Sequence, residues 1–373
     1  MAAGALGLDT PVNKYQERGK VILGKLITEN NYMSKVPKIL VVGSFVMDLI
    51  SSTKSFPESG QTVLGYKFTT APGGKGANQA MEAALLGADV TMIGKVGNDV
   101  FGDRLITSLK DAGVNVDHVL RDENGISSAV GNIILTTTDN GTALNNRIIV
   151  IPGANMEITQ RDVYFLKDTI GKYDMVILQL EIPMEINQLV AQYAHDKEVP
   201  VMLNPAPIAP IPKELMDNIT YLSPNETEAE RLLGCFIRNE GEEITDEEIS
   251  GIMSAMSQKG LKKILLTLGN AGAIVLENGN VMASPAVKGI QAIDPTAAGD
   301  SFVAAFCTSL CSGLNEQEAL EFANMIAAVT VSRMGAQPSL PTLQKAIEFH
   351  KNAGRDISIL EKFENKISNK VKE

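Results

Sequence analysis

Lys38-Ile39-Leu40-Val41-Val42-Gly43-Ser44 reads as a strand buried on both faces, a continuous apolar run closed by a glycine. Outward from it the chain repeats strand, turn and helix. Gly76 to Gly87 carries apolar residues at helical spacing, and Gly87 closes it. Val90 to Ile93 is the next strand, and Phe101 to Ala112 is a helix ended by Gly113. Met175 to Leu180, Val201 to Leu203, Thr220 to Leu222 and Ile264 to Leu268 are further short apolar strands, with helical stretches between most of them. Ile274 to Ala283 reads as a hairpin with Asn-Gly at its turn, and helices follow over 299–312, 316–333 and 341–351. This alternation predicts an α/β fold: a doubly wound, mostly parallel central sheet flanked by helices.

Two segments depart from that rhythm. Residues 61–70 alternate as a half-exposed strand, and residues 126–151 hold two β-rich runs around the turn-former cluster at 139–142. Together they predict a small sheet apart from the main one. The ends differ again. Residues 1–36 lack the pattern, and their apolar stretch Val21 to Ile27 is too short for a secretory core, with no small-residue cleavage site after it. They are either a non-native extension ahead of a start at Met33 or a short helical appendage. Residues 351–373 are lysine-rich and read as a surface helix or tail, which leaves 37–350 as the main domain.

With 373 residues, 44% of them hydrophobic and 21% charged, the chain can bury a full core, and long-range disorder is excluded. No run of about 18 apolar residues exists, so no membrane helix is expected. The net charge of -11 argues against a nucleic-acid surface and suits a cytoplasmic protein with a small-molecule substrate. Three cysteines, Cys235, Cys307 and Cys311, are too few for a disulfide framework. The three histidines, His118, His195 and His350, sit in no zinc or triad spacing. Chemistry must rest on carboxylates, lysine, glycine-rich backbone and bound ions.

Three glycine-rich segments could serve it. Gly73-Gly74-Lys75-Gly76-Ala77-Asn78 runs straight into a helix, where free N–H groups can meet oxygens. It is neither a Walker A sequence nor a dinucleotide fingerprint. Asp294-Pro295-Thr296-Ala297-Ala298-Gly299-Asp300 also enters a helix. An aspartate there is commonly a cap or first-turn residue. Here two aspartates bracket small residues that leave the backbone uncovered, as an anion hole beside a carboxylate base requires. Arg333-Met334-Gly335-Ala336-Gln337-Pro338-Ser339 reads only as a turn.

In combination these segments resemble the ribokinase-like carbohydrate kinases. GGKGANQA with the following GADVTMIGKVGNDVFGD is similar to the family's first signature, and DPTAAGDSF to its second. LNPAP (203–207), PNETEAE (224–230), LTLGNAGA (266–273) and GAQPS (335–339) stand in family order, so the resemblance spans about 38–350. It implies ATP-dependent phosphorylation of the 5-hydroxyl of a pentose, D-ribose, with Asp300 as general base and the N–H groups of Ala297, Ala298 and Gly299 as anion hole. It implies that Asp48, Gly74, Lys75, Asn78 and Glu181 surround the sugar, that Asn225, Thr267, Gly269 and Asn324 line the nucleotide site, and that Glu228 acts on Mg²⁺ through water. A K⁺ site would use Asp294 and Ser339 with the backbone oxygens of Thr296, Thr330, Arg333 and Gly335. The small sheet would be a lid over the sugar and would pair with a second copy in a homodimer. No nucleic-acid or membrane partner is implied. A non-catalytic sugar or nucleotide sensor on the same fold is the competing class.

One position departs from the family. Ribokinases carry Asn two residues before the sugar-binding Asp, and here Val46 stands there, in Gly43-Ser44-Phe45-Val46-Met47-Asp48. A sugar hydroxyl facing Val46 without a partner would lose about 1–3 kcal/mol. A 2-deoxy sugar avoids that loss, so 2-deoxy-D-ribose is the alternative substrate, although apolar pockets reject an added hydroxyl only ~10²-fold. Pro295 is a second departure. It stiffens the loop without removing the donors at 297–299.

Overall fold

A computed structural model describes residues 36–138, 143–237, 244–277 and 279–368. The expected extension up to residue 35, the turn cluster at 139–142, Asn278 of the second hairpin and the last five residues lie outside these. The main sheet is nine-stranded, in the order β13-β12-β11-β10-β9-β8-β1-β4-β5. Its strands are β1 (Lys38–Val42), β4 (Asp89–Val96), β5 (Asn115–Arg121), β8 (Met175–Gln179), β9 (Val201–Asn204), β10 (Tyr221–Leu222), β11 (Lys263–Thr267), β12 (Ala273–Glu277) and β13 (Asn280–Ser284). From β5 to β11 every pairing is parallel, and β12 and β13 add an antiparallel edge. The strand read from the first apolar run is β1, which pairs with β4 on one side and β8 on the other.

β1 shows why the run had to be apolar throughout. Ile39 and Val41 pack into the core on one face of the sheet, and Leu40 and Val42 into the core on the other. The first core is closed by the helices Lys75–Leu85, Ala298–Cys311 and Glu316–Val331, and the second by Met184–Asp196 and Asp246–Lys259. The C-terminal helix Ser358–Ser368 joins the first core through Leu360 and Phe363, and the Phe363 ring lies 4.3 Å from that of Phe322.

The second sheet has four strands in the order β3-β2-β6-β7: β2 (Val46–Thr53), β3 (Gly65–Gly73), β6 (Val130–Thr137) and β7 (Ala143–Ile151). The predicted strand at 61–70 is displaced toward 65–73, and β2, which the sequence reading did not assign, is a central member. Four passages join the two sheets. Near Gly74, φ is +97° and a side chain would meet the backbone nitrogen of Val46 at 2.7 Å, so only glycine lets β3 enter the helix there. At the exit of β7, buried Asn155 accepts from the Phe45 N–H (3.0 Å) and donates to the Phe45 carbonyl (2.8 Å). This two-way bond ties the last passage to the first.

Candidate active site

The carboxyl ends of β1 and β8 meet where strand order reverses, which is where open α/β sheets bind ligands. Asp300 lies here, 6% exposed, in the first turn of its helix. Asn78 Nδ2 donates to its Oδ2 (2.8 Å) and Gln79 Nε2 to its Oδ1 (3.0 Å). Gln79 also donates to Asn204 Oδ1 (3.2 Å) and accepts from Gln179 Nε2 (2.6 Å). The sequence reading gave Gln79, Gln179 and Asn204 no role. Gln79 stood inside the quoted motif, but nothing local signals that an amide serves a partner about two hundred residues away.

The anion-hole segment begins with Ala297 at φ +62°, a left-handed conformation that costs an L-residue about 1–2 kcal/mol. Strain of this kind persists where the surroundings impose it, commonly at functional loops. The Ala298 N–H donates to the Pro295 carbonyl (3.1 Å), while those of Ala297 and Gly299 carry no backbone partner among the described residues. Two of the three expected donors thus have no backbone partner, at the positive end of a helix.

On the sugar side, Glu181 accepts from the Lys75 N–H (3.1 Å) and from the hydroxyl of Ser44, which itself receives the Gly76 N–H (3.3 Å). Ser44 is a further residue the sequence reading missed. Asp48 on β2 projects between Gly131 and Gly73, and a Cβ at Gly131 would lie 2.5 Å from its Oδ1. Burial, helped by the charge of Glu181, pushes the Asp48 carboxyl up to about 6. Val46 is 7% exposed, with Cγ1 near the same Gly131. Burial opposes the Lys75 ammonium, but Asp300, Glu181 and Glu228 outweigh it and hold the pKa above its ordinary value.

On the nucleotide side, Asn225 bridges to Thr267, whose N–H donates to the Pro224 carbonyl (3.1 Å). Gly269, at φ +47°, faces Glu226. Asn225 and Glu228 form a reciprocal cap: Asn225 Oδ1 accepts from the Glu228 N–H (2.8 Å), and Glu228 Oε2 from the Asn225 N–H (3.0 Å). Burial raises the Glu228 pKa, while the bond from Asn225 and the charge of Lys75 pull it down. Asn324 is 9% exposed and donates to the Ser284 and Pro285 carbonyls, bracing the loop after β13.

The cation loops are also joined. Asp294 Oδ1 accepts from Thr296 N–H (2.9 Å) and hydroxyl (2.6 Å), and Oδ2 from the Gly335 N–H (2.8 Å). Thr330 and Ser339 are fully buried; the Thr330 carbonyl accepts the Arg333 N–H (3.1 Å), and the Ser339 hydroxyl donates to Ala336 (2.7 Å).

A buried carboxylate beside outward N–H groups and a lysine can take a proton from a hydroxyl while negative charge builds on a neighbouring group, which defines the class as group transfer to an alcohol. The pfkB family carbohydrate kinase model matches residues 36–343, and the chain belongs to that family of enzymes. It is 38% identical to a ribokinase of Bacillus subtilis over 310 residues, 83% of this chain and 98% of that protein. It is 31% identical to a deoxyribokinase of Salmonella typhi over 83% of this chain and 98% of the other. A structure of Arabidopsis thaliana ribokinase complexed with ribose and ATP superposes with a TM-score of 0.76 at 32% identity, covering 84% of this chain and 98% of that one.

Proposed function

We propose that the chain is a ribokinase: it transfers the γ-phosphate of ATP to the 5-hydroxyl of D-ribose, giving D-ribose 5-phosphate. The observation that carries the reading is Asp300, buried, held through both oxygens, and within one turn of the free N–H groups of Ala297 and Gly299. Asp300 takes the hydroxyl proton, the sugar oxygen attacks in line, and the two N–H groups and Lys75 receive the charge that develops on the phosphate. Asp48 and Glu181 hold the sugar hydroxyls, with Gly74 and Asn78 at its edge. Asn225, Thr267, Gly269 and Asn324 belong to the ATP side.

The donor sets suit the expected ions. Glu228 keeps one oxygen outside its cap and feels both Lys75 and Asp300, as a water-mediated Mg²⁺ ligand should. Bound Mg²⁺ would screen the phosphate charge. Asp294, tied to Gly335 across two loops, gathers the oxygens of Thr296, Thr330, Arg333, Gly335 and Ser339 for K⁺, which would stiffen the anion-hole loop. Exposed Tyr66, Phe68 and Ile148 to Ile151 on the lid support pairing with a second copy. Three free thiols support the cytoplasm as its compartment. No described helix is long and apolar enough to cross a membrane.

Val46 favours a second reading, 2-deoxy-D-ribose as substrate, because its apolar branch stands at the sugar site. The test is a kinase assay on ribose, 2-deoxyribose, other pentoses and nucleosides with ATP and Mg²⁺, with and without K⁺. Ribose should give the highest kcat/KM, and Val46→Asn should raise its preference over 2-deoxyribose by up to ~10²-fold. A higher kcat/KM for 2-deoxyribose in the unaltered protein selects the second reading. Sugar binding with no turnover on any substrate would indicate a sensor.

A further inference from the structure

Asp300 offers oxygens only, so each amide facing it must present its NH₂ end. For Gln79 that orientation is not given by shape, because the two ends of a carboxamide are nearly alike and a half-turn exchanges them. The hydrogen bonds around it decide. Gln79 uses Nε2 twice, toward Asp300 Oδ1 (3.0 Å) and Asn204 Oδ1 (3.2 Å), and Oε1 once, accepting from Gln179 Nε2 (2.6 Å). Asn204 is itself oriented, because its Nδ2 donates to the Ser223 carbonyl (2.9 Å). Gln179 and Gln79 are fully buried, so neither can exchange its partners for water. Gln179 Oε1 lies against Gly43, where any side chain would overlap it.

We propose that Gln179, at the end of β8 and two residues before Glu181, is a positioning residue for the catalytic base: by donating to Gln79 it fixes which end of that amide meets Asp300. Without this donor Gln79 Oε1 is buried and unpaired, and only the two bonds from Nε2, to Asp300 and Asn204, still oppose a flip that sets its carbonyl oxygen against the carboxylate. Buried acceptors placed together repel, and Asp300 then turns from the angle at which it receives the sugar's proton. Gln179 touches neither substrate in this scheme. The proposal rests on the reading of Asp300 as base.

Two variants test it, compared with Asp300→Asn. Gln179→Met removes the donor at similar volume. Its kcat should fall about tenfold or more while the KM for ATP stays within about twofold. Gln179→Glu supplies an O–H donor when protonated and none when ionised. Its kcat should therefore carry a descending limb as pH rises, absent from the unaltered protein and from Gln179→Met. The charged groups about this spot, Lys75, Glu181 and Glu228 beside Asp300 and Glu82 on the same helix, are common to all these proteins, so an added limb belongs to position 179. A packing role alone would lower Tm in both variants and leave the pH profile as it was. Gln179→Met with kcat within about twofold of the unaltered protein overturns the proposal. So does Gln179→Glu with an unaltered pH profile, and that result decides the matter if Gln179→Met does not fold. Full activity in Asp300→Asn removes the base reading itself, whereas its loss alongside silent Gln179 variants removes only the positioning role.

Discussion

Two consecutive helices pack against each other and begin in opposite ways. Glu316–Val331 starts with a reciprocal cap, in which Asn315 Oδ1 accepts from the Glu318 N–H (3.0 Å) and Glu318 Oε2 from the Asn315 N–H (3.2 Å). Ala298–Cys311 starts at Ala297, left-handed and without a side-chain cap. The same holds at Lys75–Leu85, whose cap position is Gly74 at φ +97°. A good cap contributes ~1 kcal/mol. At Asn315 the orphan donors are spent on stability. At the Ala297 start the N–H groups of Ala297 and Gly299 keep no backbone partner, whereas at the Gly74 start those of Lys75, Gly76 and Ala77 are taken by Glu181 and Ser44. Both starts meet at Asp300. What the Ala297 start leaves unsatisfied thus marks the anion side of the site more sharply than glycine content does.

The largest test removes one donor from the free start. Proline is tolerated in a first helical turn, and Gly299 has open space where a side chain would go. Gly299→Pro should keep the fold and lower kcat by about 10²–10³-fold, the loss typical of one anion-hole donor. Steady-state kinetics with far-ultraviolet circular dichroism checks both. Unaltered kcat would mean the free N–H groups do not face the phosphate, and the contrast between the two starts would lose its functional meaning.

The sugar end depends on carboxylates rather than N–H groups, and there the contrast sharpens with pH. Asp48 is pushed up to about 6 by burial first and by Glu181 second. Only its ionised form accepts two sugar hydroxyls. The ionised fraction falls from about one half at pH 6 to about one eleventh at pH 5, so the KM for the sugar should rise about fivefold between them. The KM for ATP, set at the other helix start, should not follow it. Kinetics of both substrates from about pH 5 to 8 decide, and parallel changes would place the titrating group elsewhere.

Much of this organisation was legible in the sequence, for identifiable reasons. β1 announced itself because both faces are buried, and the helices ending at Gly87 and Gly113 because a glycine stops each one. β2 and β5 did not, since Val46–Thr53 turns polar halfway and Asn115–Arg121 carries only one buried residue, Val116. The family resemblance pointed to Asp300, Asn78 and Glu181. The groups that orient them were not. Ser44 meets Glu181 137 residues away, Gln79 meets Asp300 221 away, and Asn155 meets Phe45 110 away. Such pairs leave no spacing to read, because the fold rather than the local chain brings them together.

The smallest effect belongs to the capped start, and its value lies in what should not change. Asn315 sits at the end of the sheet away from Asp300. The neighbouring Glu316 carboxylate receives the Tyr221 hydroxyl (2.5 Å) and the Lys263 ammonium (2.7 Å), both at the opening residues of their strands. Asn315→Ala deletes the acceptor for the Glu318 N–H and leaves the Glu318 carboxylate to its partner Lys362. Stability should fall by about 1 kcal/mol, which lowers Tm by about 1–2 °C in a domain of this size. Both KM values and kcat should stay as they are. A matching loss of kcat would mean that strain at one helix start reaches the other through their shared packing. The free start at Ala297 could then no longer be treated as a local device: its donors would owe their placement to the cap of the next helix.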